Sequence, residues 1–200
     1  TNKKVFSNLM LEITVIEEIP IYRGDKCTNR FGGKGITSRI YPDNRMPKTL
    51  DGKTFDVLLN LCGVYGRENG GQLFEISVSY ISMKIVEYFR TDFLGVDECI
   101  EMYLRLLKYT SPSMYAYMDK FLDNMTDDER ILFIQTILDG VDDNCIYLVI
   151  EPMSENMSLS RLQDLYDEFP WIRPEEVLCP IIDSAGEIRY VNSRRPVVYG

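Results

Sequence analysis

The spacing of apolar positions changes twice along the chain. Residues 9–19 are rich in Leu, Ile and Val, with Glu12 and Thr14 interleaved, and this predicts a strand. Residues 34–41 predict a second short strand, closed by a Pro42-Asp43-Asn44 turn. Residues 55–61 predict a third, entered through Asp51-Gly52. From Gln72 the period lengthens: Leu73, Ile76, Tyr80 and Met83 recur at helical spacing, and residues 96–109 carry a second apolar stripe. Thr126-Asp127-Asp128-Glu129 has the form of a capping box, opening a helix that runs to Gly140 as its C-cap. Residues 145–150 return to an apolar β run. Ser160 and Gln163 are placed to cap a short helix ending before Pro170. Ile181-Ile182, a turn at Asp183-Ser184-Ala185-Gly186 and residues 187–191 predict a hairpin.

The order of strands, helices and strands again predicts an α+β chain in three stretches. Residues 1–80 are β-rich and contain a glycine-rich loop. Residues 81–144 form a helical insertion, and residues 145–200 supply return strands and a short helix that rejoin the first part. Met102, Tyr103, Met114, Tyr115, Tyr117, Met118 and Phe121 are most simply core, the alternative being a surface for a partner helix. Asp127-Asp128-Glu129 and Asp142-Asp143 read as a cap and a turn.

Composition supports a globular chain: 45% of the 200 residues are hydrophobic and 12% aromatic, enough to build a core. No run of apolar residues is long enough for a membrane span. No apolar stretch of the signal-peptide kind follows Lys3 and Lys4, so a cytoplasmic location is expected, that of the host if the protein is viral. Cys27, Cys62, Cys99, Cys145 and Cys179 are far apart, and histidine is absent. That argues against a zinc site and against a disulfide framework, and leaves reduced thiols packed as small hydrophobes.

Charge changes the picture more. A net charge of −9 argues against nucleic acid. Yet Arg23, Lys26, Arg30, Lys34, Arg39, Arg45 and Lys48 face only Asp25 and Asp43 between residues 20 and 48. A local basic face on an acidic protein suits a subunit that touches nucleic acid on one side. The alternative is a set of merely solvated cations.

The chemistry concentrates in the same stretch. Gly24-Asp25-Lys26-Cys27-Thr28-Asn29-Arg30-Phe31-Gly32-Gly33-Lys34-Gly35 sets two lysines and an arginine in a glycine-rich loop. Glycines let backbone approach a ligand closely, and lysines present compact positive charge to phosphate oxygens. A P-loop built on Gly32-Gly33-Lys34 fails, because that motif needs glycine at 28 and Ser or Thr at 35 where this chain has Thr28 and Gly35.

This stretch resembles the G-D-K-x-x-x-R-H-G-x-K-G signature of the second-largest, β-type subunit of multisubunit DNA-directed RNA polymerases. Gly24, Asp25, Lys26, Arg30, Gly32, Lys34 and Gly35 match in register, and Phe31 stands where the family has histidine. Met46-Pro47 and Asp51-Gly52 match the family's M-P and D-G. Asn60, Gly63, Val64, Arg67, Asn69, Gly71, Gln72 and Glu75 then hold the pattern N-P-x-G-V-P-S-R-M-N-x-G-Q-x-x-E. A weaker echo is Gly186-Glu187 followed by Arg195-Pro196-Val197-Val198-Tyr199-Gly200. The helical insertion and the lack of histidine are more similar to the divergent polymerases of large bacteriophages, whose big subunits are encoded in pieces.

The resemblance implies a fold and a set of roles. The fold is part of a double-psi β-barrel in the hybrid-binding region, with barrel strands contributed from both sides of this segment. Lys26 and Lys34 become catalytic cations on phosphates of the RNA 3′ end and the incoming nucleotide. Arg67 would grip the triphosphate, and Arg30, Asn69 and Gln72 are carried over as substrate-binding positions. The magnesium ligands, N-A-D-F-D-G-D in the family, belong to the largest subunit, and no such run occurs here; Mg2+ is expected on that partner. The implied partners are the largest (β′-type) subunit, the remaining β-type piece, template DNA, nascent RNA and nucleoside triphosphates, with no membrane. For Lys34 the competing reading is a solvated turn lysine, and for Arg67 a salt bridge with Glu68 or Glu75. The competing function is a non-catalytic assembly or scaffold protein that keeps the fold; the retained cations speak against it and Phe31 for it.

Overall fold

The computed structural model describes residues 11–91, 95–139, 146, 148 and 159–200. Its elements are β1 (Lys26–Cys27), β2 (Gly35–Ile36), a single 3-10 turn at Asp43–Arg45, α1 (Leu61–Tyr65), α2 (Gly70–Thr91), α3 (Val96–Thr110), α4 (Pro112–Asp123), α5 (Asp127–Leu138), α6 (Leu159–Glu168), β3 (Leu178–Ile182) and β4 (Ile188–Asn192).

The core is helical. α2 is its axis, with Val78, Tyr80, Ile81, Ile85 and Val86 essentially inaccessible to solvent. These positions spread over more than one stripe, as befits a helix covered on several sides. Ser82 lies among them, and its hydroxyl both accepts from the Ile146 N–H (2.9 Å) and donates to the Ile146 carbonyl (3.3 Å), so the buried group is satisfied. α3 buries Cys99, Ile100, Tyr103, Leu106, Leu107 and Thr110, one face of a 3.6-residue period. It is tied to α6 at Glu168, whose carboxylate accepts from Arg105 Nε (2.6 Å) and from the Tyr109 hydroxyl (2.9 Å). The Arg105 hydrogen bond is the main cause that holds the Glu168 carboxyl below the usual range, against the opposing effect of burial.

The predicted capping box is present: Thr126 Oγ1 accepts from the Glu129 N–H (3.4 Å), and Glu129 Oε2 accepts from the Thr126 N–H (2.8 Å). The Thr126 N–H, and after it the Thr126 hydroxyl, which donates to the same carboxylate oxygen (2.9 Å), lower the Glu129 pKa. α5 ends at Leu138 with Asp139 at the C-cap, one residue short of Gly140, which lies outside the described residues. α6 is described over Leu159–Glu168, so Ser160 lies within the helix and not at its cap, and the helix stops before Pro170 as expected. The run at 145–150, apart from Ile146 and Leu148, and the Asp142-Asp143 turn lie outside the described residues.

The first third departs from its prediction. Residues 11–19 form no ladder and are exposed, Leu11 at 74% and Ile16 at 94%. A strand is a pairing, and among the described residues nothing pairs with this one. Of residues 34–41 only Gly35–Ile36 enters a ladder. Residues 55–60 form none, because the Asn60 side chain accepts from the Cys62 N–H (3.0 Å) and turns the chain into α1 instead. Asp51-Gly52 does make the expected tight turn, with Gly52 at φ +94 and an antiparallel bridge between Lys48 and Thr54.

Described strands form two separate two-stranded antiparallel sheets, β1–β2 and β3–β4. The return hairpin meets the first third at Lys48, where Lys48 and Leu178 exchange two backbone hydrogen bonds (2.9 and 2.7 Å). The Tyr190 hydroxyl, from β4, donates to the Met46 carbonyl (3.2 Å). Near the C-terminus Tyr199 wedges edge-on between Phe55 and Tyr80, with centroids 5.0 and 5.1 Å away, and so joins the 46–55 segment to α2. Tyr103 and Met118 are core as predicted, whereas Tyr117 and Phe121 stack on each other at the surface.

Candidate functional site

The glycine-rich loop is a hairpin. At its base Asp25 closes a turn: its N–H donates to the Tyr22 carbonyl (3.1 Å) and its Oδ2 accepts from the Tyr22 N–H (2.7 Å). Gly24 takes φ +102 there, a conformation that disfavours any side chain. The arms are then zipped by Gly24 N–H to Thr37 carbonyl and Thr37 N–H to Asp25 carbonyl, both 2.8 Å, and by the ladder Lys26↔Ile36 and Cys27↔Gly35. This puts Lys26 on one arm and Lys34 at the start of the other. At the tip Gly32 adopts φ +75 and Asn29 gathers the turn.

The second motif folds beneath the hairpin. α1 ends at Gly66, whose N–H donates to the Cys62 carbonyl (3.1 Å), and the Asn69 N–H returns to the Val64 carbonyl (3.3 Å). Glu68 between them holds φ +55, an uncommon value for a residue with a Cβ, and the chain reverses there into α2. Arg67 sits at this reversal.

Two contacts dock the hairpin on this helix pair. The Arg67 guanidinium donates through Nη1 to the backbone carbonyl of Lys34. Arg30, at the hairpin tip, pairs with Glu75 on α2, Nε to Oε1, at 3.1 Å. The sequence leaves Glu75 open as a partner for Arg67; the structure gives it to Arg30 and turns Arg67 toward the loop. Lys26 and Lys34 are exposed. Among the described residues no carboxylate lies within 4.0 Å of Lys26, Lys34 or Arg67. Asn69 is half-buried at the reversal, and Gln72 is buried at 5% exposure, set into the fold.

Sequence reasoning missed three features. Asn29 is an unassigned position of the motif, yet it organises the tip; an asparagine within a glycine-rich turn is the signal, since its side chain readily bonds the backbone two residues on. The Arg30–Glu75 pair and the Arg67–Lys34 contact join residues far apart in sequence, and no local pattern announces them. Among the described residues no three Cys, Asp or Glu side chains converge as metal ligands. No described helix is long and apolar enough to cross a membrane.

The family relationship agrees with this geometry. The sequence model of RNA polymerase Rpb2, domain 6, matches residues 1–130, from before the hairpin into α5, and the chain belongs to that family. It is similar to DNA-directed RNA polymerase β subunits. It is 31% identical to that of Ehrlichia chaffeensis over 142 residues, covering 71% of this chain and 10% of the relative. Against Mycoplasma genitalium it is 27% identical over 175 residues, covering 80% and 12%. Against Helicosporidium sp. subsp. Simulium jonesii it is 42% identical over 79 residues, covering 38% and 6%. The chain thus spans about a tenth of the length of the first two relatives.

Proposed function

We propose that this chain is part of the catalytic core of a DNA-directed RNA polymerase, a nucleotidyltransferase active only when assembled. Its hairpin contacts phosphates of the RNA 3′ end and the incoming nucleoside triphosphate. The observation that carries this reading is the hairpin docked on the Arg67 turn with both lysines left unpaired and exposed. Cations held on a braced loop, without an acidic partner, are available to a phosphate.

Nucleotide addition is phosphoryl transfer: the RNA 3′ hydroxyl attacks the α-phosphate and pyrophosphate leaves. Protein groups act mainly by placing positive charge where the transition state gathers negative charge. Lys26 and Lys34 supply such charge. Arg67, with donors left beyond the one given to Lys34, grips the triphosphate, where a fork of N–H groups suits non-bridging oxygens. Arg30 at the tip, Asn69 at the reversal and Gln72 in the first turn of α2 are the further substrate-binding positions of this reading. Mg2+ would be held by the largest, β′-type subunit.

The fold we propose is a portion of a double-psi β-barrel. The short hairpins β1–β2 and β3–β4 are its pieces, completed by other β-type segments, with residues 81–144 as an insertion. Template DNA, nascent RNA and the other polymerase subunits are the partners, in the cytoplasm. The competing reading, an assembly protein without catalytic contacts, rests on Phe31.

Reconstituted polymerase separates them. Lys26→Ala and Lys34→Ala should each slow nucleotide addition ~10²-fold with assembly intact, the scale of losing a transition-state charge partner. Wild-type rates in both would leave the scaffold reading.

A further inference from the structure

The tip of the hairpin contains a latch that the roles above do not use. Asn29 Oδ1 accepts from two backbone N–H groups, Phe31 at 3.1 Å and Gly33 at 2.8 Å. The Asn29 carbonyl accepts a third, from Gly32, at 3.1 Å. One residue thus collects three successive amides. The Lys34 N–H follows directly, donating to the Gly32 carbonyl at 2.7 Å. The path of the chain into Lys34 is therefore set by the turn that Asn29 closes.

The fit is tight from the other side as well. A Cβ on Gly33 would stand 2.8 Å from Asn29 Nδ2 and 2.9 Å from its Oδ1, closer than carbon atoms approach such groups. Gly33, unlike Gly32, does not hold a positive φ. A side chain at 33 would displace the carboxamide of Asn29 without straining the backbone. Asn29 and Gly33 form one unit.

We propose that Asn29 is a positioning residue for Lys34: its carboxamide, seated on Gly33, fixes the course of residues 28–34 and so the point where the Lys34 ammonium meets phosphate. This rests on the reading of Lys34 as a phosphate-contacting cation. Arg67 holds the Lys34 carbonyl from outside the loop, and Asn29 holds the loop from within. A loosened loop still carries the charge but spends less time in the reactive arrangement, so the maximal rate falls more than nucleotide binding does.

The test is single-nucleotide addition by the reconstituted polymerase, with hydrogen exchange of the peptide covering residues 28–35 read in the same assemblies. Asn29→Ala should lower the maximal rate ~10-fold with KM for nucleotide changed less than ~3-fold, and should speed exchange of the loop. Gly33→Ala should do the same, because its methyl displaces the carboxamide. The double variant should be no slower than Asn29→Ala alone, since no carboxamide remains to be struck. Asn29→Asp keeps the acceptor oxygen and should keep the loop protected; exchange as fast as in Asn29→Ala would overturn the latch. A wild-type rate in Asn29→Ala alongside a slow Lys34→Ala would overturn the positioning role while leaving Lys34 in place. So would defects of the two single variants that multiply. A wild-type rate in Lys34→Ala would instead fell the earlier reading, and with it any purpose for Asn29.

Discussion

Arg67 has donors to spare beyond its contact with the loop. A guanidinium carries five N–H donors, and the Lys34 carbonyl takes a contact from one nitrogen only. If the remainder serve the triphosphate in the ground state, Arg67→Ala should raise the apparent KM for nucleotides ~10-fold, with a smaller loss of maximal rate from the slackened loop. Steady-state kinetics of the assembled enzyme reads both; an unchanged KM would confine Arg67 to bracing. Glu168 gives a second prediction at this scale. Its pKa is depressed, chiefly by Arg105, so its contribution to stability is present above the unfolded carboxylate value, ~4.3, and is lost as pH falls through the lower folded value. Helix-band melts of a solubility-tagged chain should show Glu168→Gln less stable at pH 7 and the gap closing toward pH 3. A gap that widened on acidification would contradict the assigned cause. Of the candidate site, the cations were legible because their types and spacing are local. Their bracing was not: Arg67 meets Lys34 across 33 positions, and only the folded chain shows which acid pairs with which arginine.

Helices were more legible than strands, for a physical reason. α2, α3 and α5 carry their signal within themselves, as period and caps. The segments at 11–19 and 55–60 have strand composition, but strand formation depends on a partner that local sequence does not name. The β3–β4 hairpin succeeds because its strands are only six positions apart at Ile182 and Ile188, across a turn closed by Asp183, whose Oδ1 accepts from the Ala185 and Glu187 N–H groups, both at 2.9 Å. α4 has no such signal of its own: Met114, Tyr115, Tyr117, Met118 and Phe121 leave no clean polar face, and Pro112 at its first turn reads as a break as readily as a start. At this scale the cap on α5 is testable. Thr126→Ala should destabilise by ~1 kcal/mol, as expected for an N-cap, and lower the melting midpoint of the helix band. No change would mean that α5 is held by packing alone.

At the scale of the whole molecule, the described residues leave large apolar side chains open in two stretches. Leu11, Ile13, Val15, Ile16, Ile19 and Ile21 lie open along one extended stretch, and Val57, Leu58 and Leu59 along another. Such surface, with unpaired backbone beside it, invites association. We expect the chain expressed alone to aggregate while retaining a helical signal from its local contacts, and to become soluble when co-expressed with the other polymerase subunits. A soluble monomer with one sharp thermal transition would show an autonomous domain instead. The central claim, that the hairpin lysines lie on phosphate at the growing end, has a more direct test. Polymerase assembled with this chain is given RNA whose 3′ nucleotide bears an amine-reactive aldehyde, reduced after binding to trap the adduct. Label is expected in the peptide spanning residues 24–35, on Lys26 or Lys34, and should be lost when both are replaced by arginine. An assembly that extends the same RNA while the label falls wholly outside this hairpin would contradict it.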